Sequence, residues 1–266
     1  MNAVILAGGR GTRLAPYTSI LPKPLMPIGD RSILEHVLEQ LAHAGIRDVT
    51  LSVGYLSHLI RAVLENGSSS SIRPRLRYVH ESEPLGTVGP LRLIHDLNET
   101  FLVMNGDVLT RLDFSDLITY HRASGSMLTI AAHKRVVKVD YGVLGISSKS
   151  GRDLVKAFHE KPEIPVSVSA GIYVMEPEIL ECVPPTGYFD FPDLVHALLE
   201  ANHPISAYEF GGFWLDLGRA EDYQHAVEFW ERSPEALDAP DSEPSLIPVP
   251  SASNDGIGYA TAIEGR

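Results

Sequence analysis

The sequence predicts an α/β fold with a largely parallel central sheet, and two features of its pattern lead to this prediction. Short apolar runs that end at glycine, such as AVILA at residues 3 to 7, alternate with segments whose apolar residues recur at helical spacing. Strands that alternate with helices in this way are typical of strand–helix–strand crossovers, which join parallel strands. With 266 residues, the chain can bury a sizeable core, either as one domain or as two small ones.

The first half of the chain carries this alternation most clearly. A capping box of Ser32 and Glu35 marks the start of the first helix, and Gly45 marks its end. We predict strands at residues 3 to 7, 48 to 54, 76 to 81 and 100 to 107, and helices at residues 32 to 45, 57 to 67 and 88 to 97. Ligands of such sheets gather at the carboxyl ends of the strands, where the GGRGTR stretch (residues 8 to 13) and the NGD stretch (residues 105 to 107) fall.

The second half of the chain, after about residue 126, is richer in strand-like runs. We predict strands at residues 127 to 135, 141 to 147, 154 to 162, 169 to 175 and 204 to 210, and helices at residues 191 to 201 and 219 to 232. This half is expected to form a mixed-sheet extension that packs on the first half and makes the far wall of one cleft. Residues 233 to 266 are rich in proline, serine and acidic residues, which cannot support a packed core, so we predict a mostly disordered tail.

The composition excludes several classes of protein. A formal net charge of −12 without a lysine and arginine block argues against a surface that coats nucleic acid. Cys182 is the only cysteine, which excludes an internal disulfide framework and a multi-cysteine metal site and fits a reducing compartment. No apolar run approaches the roughly 18 residues of a membrane helix, and the first residues lack the basic start of a signal peptide. We therefore expect a cytoplasmic protein with no membrane partner.

Residues 6 to 29 are rich in glycine and carry local positive charge in an otherwise acidic chain. Gly8, Gly9 and Gly11 follow the first strand, and the N–H groups of such a turn can point at one anion because no side chain blocks the approach. Arg13 and Lys23 add positive charge close by. The stretch is not a dinucleotide fingerprint, since its third glycine is missing, and it is not a Walker A loop, since no Gly-Lys-Ser/Thr is present. It favours a phosphate chain as ligand.

The same stretch, LAGGRGTRLAPYT followed by LPKPLMPIGDRSILEHVLEQLAHAGI, resembles the signature of the sugar-1-phosphate nucleotidylyltransferases, the nucleotide-sugar pyrophosphorylases. Further motifs follow in the order of that family: EPLGTVGPL (83 to 91), FLVMNGDVL (101 to 109), YGVLGI (141 to 146), EKP (160 to 162), SAGIYV (169 to 174) and GFWLDLGRAEDY (212 to 223). The resemblance implies a Rossmann-like three-layer α/β/α fold with a predominantly parallel mixed central sheet, the nucleotide-diphospho-sugar transferase fold. It also implies one catalytic domain at residues 1 to 232, in which residues 1 to 125 mainly bind nucleotide and residues 126 to 232 mainly bind sugar phosphate.

The reaction that this resemblance implies is attack by a phosphate oxygen of a sugar 1-phosphate on the α-phosphorus of a nucleoside triphosphate, with release of pyrophosphate. Both reactants are polyanions, so catalysis would consist chiefly of positioning and charge compensation. Arg13 would hold the phosphates of the departing pyrophosphate, and Lys23, flanked by prolines, would reach the α-phosphate. Asp107 is the third residue implied to be catalytic. The nucleotide would be bound along Leu6, Ala7, Gly8, Gly9, Gly11 and Thr12.

Two aspartates are implied to ligate Mg²⁺, as one or two ions. Asp107 ends a buried strand, where a carboxylate is costly unless it meets a cation, and Asp216 lies in the apolar FWLDLG segment. Mg²⁺ is a hard ion that takes a few carboxylates together with phosphate oxygens and water. The pair therefore suits a metal that is shared with a triphosphate.

For the sugar phosphate, the resemblance implies Glu160 and Lys161 of the EKP motif, with Gly142 and Gly171 permitting close approach of the backbone. Ser169 is a departure, because many relatives carry an asparagine there that contacts a sugar hydroxyl. The shorter serine leaves mannose 1-phosphate, a heptose phosphate and a cyclitol phosphate open. A homo-oligomer is also compatible with the sequence.

The EPLGTVGPL stretch resembles the base-contacting loop of mannose-1-phosphate and heptose-phosphate guanylyltransferases, which implies that Gly86 and Thr87 contact the nucleotide. Guanine presents two adjacent N–H donors that one carboxylate can accept side by side, and Glu81 or Glu83 could be this acceptor. GTP is therefore favoured. If both glutamates are only surface charges, then UTP, dTTP and CTP are equally possible as the nucleotide substrate. A regulatory subunit that binds nucleotide sugars without catalysis is a further alternative. The presence of Arg13, Lys23, Asp107 and Asp216 favours an active transferase over such a subunit.

Overall fold

The computed structural model describes residues 1 to 66, 74 to 149 and 151 to 233. Its strands are β1 (Asn2–Ala7), β2 (Pro27–Ile28), β3 (Arg31–Ser32), β4 (Asp48–Val53), β5 (Arg75–His80), β6 (Phe101–Asn105), β7 (Val108–Thr110), β8 (Leu128–Lys138), β9 (Val143–Lys149), β10 (Arg152–His159), β11 (Glu163–Met175), β12 (Ile205–Phe210) and β13 (Trp214–Asp216). Its α-helices are α1 (Ile33–His43), α2 (Ser57–Asn66), α3 (Phe114–Ser124), α4 (Phe191–Glu200) and α5 (Ala220–Arg232). The tail predicted from residue 233 onward lies, except for Ser233, outside the described residues.

The central sheet contains seven strands in the order β12-β8-β11-β6-β1-β4-β5. Strand β1 pairs in parallel with β4 and β6, β4 pairs in parallel with β5, and β8 pairs in parallel with β12. Strand β11 is antiparallel to both of its neighbours, β6 and β8. The predicted mixed and largely parallel sheet is confirmed, and its one reversed strand joins the two halves of the chain.

Alternate residues of the strands face two separate hydrophobic clusters, which makes the fold three-layered. Ile5 and Leu102 pack under α1, α2 and α3 on one face of the sheet. Val4 and Val103 pack under α4 on the other face. The capping box predicted for α1 is present: the Glu35 N–H donates to the Ser32 hydroxyl, and the Ser32 N–H donates to the Glu35 carboxylate. A third cluster lies under α5.

The predicted helix at residues 88 to 97 is wrong in type, because Gly89–Leu93 forms a short 3₁₀ helix and Ile94 is extended. Four apolar side chains of this segment recur every three residues, and all of them lie in the cluster under α4: Val88, Leu91, Ile94 and Leu97. A period of three matches the 3₁₀ turn better than the 3.6 residues of an α-helical turn.

Helix α3 was not predicted from the sequence, although its signals are present. The Asp113 carboxylate accepts hydrogen bonds from the N–H groups of Ser115 and Asp116 as an N-cap, and Gly125 ends the helix with φ of 62°. Within the described ranges, no helix is both long and apolar enough to cross a bilayer.

Candidate active site

The carboxyl ends of β1, β4 and β6 approach one another closely at one edge of the sheet. A Cβ on Gly54, which follows β4, would lie 3.0 Å from the carbonyl oxygen of Gly8. A Cβ on Gly106, which follows β6, would lie 3.0 Å from the carbonyl oxygen of Leu6, to which the Gly106 N–H donates at 2.9 Å. Because glycine has no Cβ, the backbone can pack closely at these positions, and the three strand ends converge. The loop after β1 lies between the segments that follow β4 and β6.

Gly11 allows this loop to fold back over Lys23. Its φ of 60° lies in the left-handed region, and a Cβ there would lie 3.1 Å from the Cβ of Lys23 and 3.0 Å from the Cγ2 of Thr18. The Thr18 hydroxyl donates to the Gly11 carbonyl at 2.8 Å, which holds the fold of the loop. A side chain at this position would be strained by both its backbone angle and its neighbours.

Lys23 lies at the bottom of the site, where it meets the two aspartates. Its side chain is buried, and Pro22 and Pro24 flank it at the start of a short 3₁₀ helix. The Nζ atom donates to the carboxylate of Asp107 and lies 3.9 Å from Oδ1 of Asp216. A buried ammonium is stabilised only by opposite charge, so Lys23 and the aspartates form one electrostatic unit.

The strand pair β7–β13 brings Asp216 to Asp107, although more than a hundred residues separate them in the sequence. Asp216 is opposite Val108 in this antiparallel pair, and the N–H of Leu217 donates to the carbonyl oxygen of Asp107 at 3.1 Å. Burial, and after it the neighbouring Asp107 carboxylate, raises the pKa of Asp216 above its ordinary value against the opposing charges of Lys23 and Arg13. The arrangement therefore brings two carboxylates together beside the positive charges of Lys23 and Arg13.

The Arg13 guanidinium reaches the same place from the loop after β1. A Cβ on Gly218 would lie 3.4 Å from both the Nη1 atom of Arg13 and the Oδ1 atom of Asp216. A cavity of about 200 Å³ opens beside these groups, and it is lined by Leu6, Ala7, Gly9, Gly11, Arg13, Lys23, Pro24, Gly106, Asp107 and Gly218. This small cavity thus brings together the three residues predicted to be catalytic and four of the six residues predicted for the nucleotide backbone.

A large cavity of about 670 Å³ adjoins the small one, with which it shares Leu6, Gly9, Arg13 and Asp107. Its walls also contain five more residues that were predicted to bind nucleotide: Gly8, Glu81, Glu83, Gly86 and Thr87. Further wall residues were not predicted, among them Tyr55, Asn105, Tyr188 and Asp190. Thr12 lines neither cavity in the described part of the chain and opens a 3₁₀ turn instead.

The two glutamates differ in their surroundings. The Ser52 hydroxyl donates to Oε1 of Glu81 at 2.7 Å, and the Glu81 carboxylate occupies the space that a side chain on Gly8 would need. Glu83 is exposed at the cavity wall. Glu81 is therefore the carboxylate that is held in place beside the loop after β1.

The loop of residues 84 to 89, called here the 84–89 loop, is bound to the start of α4. The N–H groups of Val88 and Gly89 donate to the carbonyl oxygen of Phe189 at 3.1 and 3.0 Å. Gly86 has φ of 87° and lies against the same Phe189 carbonyl group, so glycine is needed there for both its backbone angle and the space. The Thr87 N–H and hydroxyl donate to Oδ1 of Asp190 at 2.9 and 2.5 Å.

Asp190 is the charged residue that fixes this contact. Burial alone would raise the pKa of its carboxyl, but hydrogen bonds from Thr87 and Tyr188 outweigh burial and hold that pKa below the ordinary range. The sequence offered one signal for Asp190, its position as the N-cap of a predicted helix with Asp193 three residues later. That signal explains a helix start and gives no indication that the carboxylate also faces a cavity.

The residues predicted to bind the sugar phosphate lie apart from the two cavities. Glu160 and Lys161 are exposed between β10 and β11, and a Cβ on Gly142 would lie 3.2 Å from Oε2 of Glu160. The Ser169 hydroxyl donates to the Tyr173 hydroxyl oxygen at 3.2 Å. Gly171, with φ of 72°, is the member of this set that lies next to a wall residue of the large cavity, because a Cβ on it would lie 2.7 Å from Nδ2 of Asn105.

The described residues contain no group of three or more histidine, cysteine, aspartate and glutamate side chains placed to hold a metal ion. The candidate ligands are the carboxylates of Asp107 and Asp216. Among the described residues that line the small cavity is Asp107 but not Asp216, whose Oδ1 atom lies 3.9 Å from the Nζ atom of the lining residue Lys23. Such a pair is the kind of donor set that Mg²⁺ uses when phosphate oxygens and water complete its coordination.

Comparison with models of protein families matches residues 2 to 233 to the family described as nucleotidyl transferase. The chain is 36% identical over 231 residues to the mannose-1-phosphate guanylyltransferase catalytic subunit beta of Danio rerio. It is 35% identical over 231 residues to the mannose-1-phosphate guanyltransferase beta-B of Xenopus laevis. Each alignment covers 84% of this chain and 62% of the relative, so the chain spans less than two thirds of the length of these proteins.

Among solved structures, the chain is similar to HddC from Yersinia pseudotuberculosis complexed with GMP-PN. The TM-score is 0.65 at 27% sequence identity, and the match covers 86% of this chain and 99% of that one. The similarity therefore extends over almost the whole of a solved structure that holds a nucleotide analogue.

Proposed function

Because the chain belongs to the nucleotidyl transferase family, we propose that it transfers the guanylyl group of GTP to a sugar 1-phosphate. A phosphate oxygen of the sugar phosphate attacks the α-phosphorus of GTP, a new P–O bond forms, and the bond between the α- and β-phosphates breaks. The products are a GDP-sugar and pyrophosphate. The observation that carries the proposal is the small cavity, which is lined by Arg13, Lys23 and Asp107 and opens into the large cavity beside Arg13 and Asp107. Asp216 approaches this group, with its Oδ1 atom 3.9 Å from the Nζ atom of Lys23.

We assign the phosphates to the small cavity because two cations, Arg13 and Lys23, line it. Arg13 and Lys23 can offset the charge of the triphosphate and of the pyrophosphate as it leaves, and they need little reorganisation because Lys23 is already buried and paired. Gly9 and Gly11 of the loop after β1 line the same cavity, where the N–H groups of the loop would donate to the phosphates. The residues of this chain thus act by positioning two polyanions and compensating their charge.

Asp107 and Asp216 fit a divalent cation. Asp107 lines the small cavity, and Oδ1 of Asp216 lies 3.9 Å from the Nζ atom of Lys23, which lines the same cavity. Burial and the neighbouring Asp107 carboxylate raise the pKa of Asp216, and a divalent cation would offset both effects. Mg²⁺ bound there would supply charge neutralisation to the phosphate oxygens. Lys23, which contacts Asp107 and approaches Asp216, would then help to orient the two ligands.

Guanine is favoured by the large cavity and by the relatives. Glu81 is held beside the loop after β1 by Ser52, so its carboxylate is preorganised to accept the two adjacent N–H groups of guanine. Both named relatives are mannose-1-phosphate guanylyltransferases, and the similar HddC structure contains a guanosine-type analogue by its name. The choice of sugar 1-phosphate is less well defined than the choice of base. Mannose 1-phosphate is the first candidate and a heptose phosphate is the second.

Pyrophosphate release measured with GTP, UTP, dTTP, CTP and ATP, each with a panel of sugar 1-phosphates and Mg²⁺, tests the proposal. We expect turnover with GTP that chelation by EDTA abolishes and added Mg²⁺ restores. Turnover with dTTP or UTP and none with GTP would discard the guanylyl assignment, and no turnover with any pair would discard catalysis. Glu81→Gln should lower the preference for GTP, while Glu83→Gln serves as the matched exposed control.

A further inference from the structure

One wall of the large cavity has no part in the proposed reaction, and an exposed tyrosine forms it. The Tyr188 side chain is 63% exposed, and the residue lines the cavity. Its hydroxyl donates to Oδ2 of Asp190 at 2.7 Å, which fixes the end of the ring. In the described part of the chain, no aromatic ring or arginine stacks on it, so no such group competes with a ligand for the exposed ring.

Asp190 joins this tyrosine to the 84–89 loop. One of its carboxylate oxygens accepts the Tyr188 hydroxyl, and the other accepts both the N–H and the hydroxyl of Thr87. The Phe191 N–H in turn donates to the Thr87 hydroxyl oxygen at 2.8 Å. A single carboxylate therefore sets the relative position of two neighbouring parts of the cavity wall.

The distribution of charge indicates which part of a nucleotide meets this wall. The residues shared by the two cavities include Arg13 and lie next to Lys23, where phosphates are attracted. Tyr188 and the three carboxylates of Asp190, Glu81 and Glu83 line only the large cavity, and so does Arg10, whose guanidinium lies over the Tyr55 ring. Carboxylates repel a triphosphate, so the uncharged nucleoside end is the part of the ligand that can lie against them.

We propose that Tyr188 contacts the nucleobase through its ring and that Asp190 is a positioning residue, which holds this ring and the 84–89 loop in one arrangement. The inference rests on the proposed function, because it needs a nucleotide in the large cavity. An aromatic ring offers a large flat surface to a base and loses little conformational freedom when its hydroxyl is already bonded. Because every base has a flat face, this contact adds affinity while Glu81 supplies the selection of guanine.

The ring contact is tested with Tyr188→Ala and Tyr188→Phe in steady-state assays of pyrophosphate release. We expect Tyr188→Ala to raise the KM for GTP about tenfold, a size typical of base stacking on an aromatic side chain. The kcat and the KM for the sugar phosphate should stay near the wild-type values. Tyr188→Phe keeps the ring and should raise the KM for GTP much less.

Two controls separate the nucleoside end from general damage to the protein. In the reverse reaction, Tyr188→Ala should raise the KM for the nucleotide sugar and leave the KM for pyrophosphate unchanged, because pyrophosphate has no base. Tyr120→Ala is the matched control: Tyr120 is also a surface tyrosine with a bonded hydroxyl, but it packs on Tyr208 and lines neither cavity. It should leave both KM values unchanged.

The role of Asp190 is tested with Asp190→Asn and a double-mutant cycle. The asparagine oxygen can still accept from Thr87, but its NH₂ group cannot accept the Tyr188 hydroxyl. Because Asp190→Asn and Tyr188→Phe remove the same hydrogen bond, the increase in KM of the double variant should be smaller than the product of the two single increases. If the KM of the double variant rises by the full product of the two single increases, the two residues act separately and the positioning role is overturned.

The failure of this inference is distinguishable from the failure of the proposed function. If the wild-type protein turns over GTP and Tyr188→Ala has the same KM for GTP within twofold, the inference is overturned and the function stands. If the wild-type protein releases no pyrophosphate from any triphosphate, calorimetric binding of GTP and GDP decides the inference alone. A Kd about tenfold weaker in Tyr188→Ala then supports it, whereas an equal Kd or no binding to either protein overturns it.

Discussion

Lys23 connects the phosphate space with both aspartates, so its charge is expected to matter more than that of any exposed lysine. Lys23→Met keeps an unbranched side chain of similar length and removes the ammonium group. We expect kcat for pyrophosphate release to fall by about 10²–10³-fold, the size found when one preorganised donor to a reacting anion is lost. Circular dichroism would show whether the fold is retained.

The control for this variant is Lys134→Met. Lys134 lies on β8, is half-exposed, and pairs with Glu209 at 3.3 Å away from both cavities. It should leave kcat within about twofold of the wild type, since exposed ion pairs contribute about 0–1 kcal/mol. A kcat of Lys23→Met within threefold of the wild type would contradict the role assigned to Lys23.

Asp216 is expected to lower stability in exchange for activity. Its pKa is raised in the folded protein, so the folded state binds a proton more readily than the unfolded chain does. Stability is therefore present at low pH and is lost as the pH rises from the unfolded pKa of about 3.9 through the higher folded pKa. Asp216→Asn removes this penalty, and at pH 7 we expect its Tm to exceed that of the wild type by about 1 to 3 °C.

The gain should be small because Asp216 is about half exposed and solvent screens its charge. It should also shrink toward pH 4, where the wild-type carboxyl takes up its proton, and turnover should fall at every pH. Thermal unfolding at pH 4, 5.5 and 7 measures this. Asp153→Asn, an exposed aspartate that accepts from Ser148 on the β9–β10 hairpin, is the control. Equal Tm values at pH 7, or a gap that widens toward pH 4, would refute the prediction.

At the scale of elements, the loop after β1 offers a test that separates structural glycines from ligand-facing ones. Gly11→Ala places a Cβ at a left-handed φ and against the Cβ of Lys23, whereas a Cβ on Gly9 meets nothing within 4 Å. The left-handed backbone costs a non-glycine residue about 1–2 kcal/mol, so Gly11→Ala should lower the Tm by about 3 to 6 °C. Differential scanning calorimetry measures the difference.

Gly9→Ala is the matched variant in the same loop. Its Tm should equal that of the wild type. Gly9 lines both cavities, so the added methyl group should occupy space needed by the nucleotide and raise the KM for GTP. If Gly9→Ala also lowered the Tm, or if it left the KM unchanged, the division of roles between the two glycines would be wrong.

The sequence predicts well those elements whose signal is local. The capping box of Ser32 and Glu35 marks α1 correctly because both partners lie within one turn of the helix. The segment at residues 88 to 97 was assigned the wrong kind of helix because periods of three and 3.6 differ little over ten residues. Helix α3 shows that even a clear N-cap, Asp113, is easily passed over when the polar residues that follow it dilute the apolar pattern.

The residues of the candidate site that lie in a recognised motif could be predicted from the sequence. The residues that reach the site through long-range contacts could not. Arg13, Lys23 and Asp107 were predicted from their motifs, and the structure gathers them around the small cavity. Tyr188 and Asp190 lie about a hundred residues from Thr87 in sequence, and only the fold brings their segment against the 84–89 loop. No local pattern records such a contact.

At the scale of the whole molecule, the two halves of the chain share one sheet and contribute to the same hydrophobic clusters. Strand β11 pairs with β6 from the first half and with β8 from the second, and residues from Ala3 to Phe210 belong to a single cluster. Helix α5 then returns to the first half: the Tyr223 hydroxyl donates to the Pro27 carbonyl oxygen at 2.6 Å, and Trp230 packs against Gly29. Packing of α5 thus ties the end of the described chain to its first half, and the family match covers residues 2 to 233.

This packing predicts where the chain can be shortened. Removal of residues 234 to 266 should leave kcat, the KM for GTP and the Tm within error of the full chain, because the described core and both cavities are formed by residues that precede them. Removal from residue 220 onward is the contrasting variant. It deletes α5 and uncovers the cluster that contains Leu14, Met26 and Leu217, which lies beside Lys23 and Asp216, so this protein should lose cooperative unfolding and activity together. A shorter chain ending at residue 233 with reduced kcat would show that the tail takes part in the reaction, and an active chain ending at residue 219 would show that α5 does not support the site.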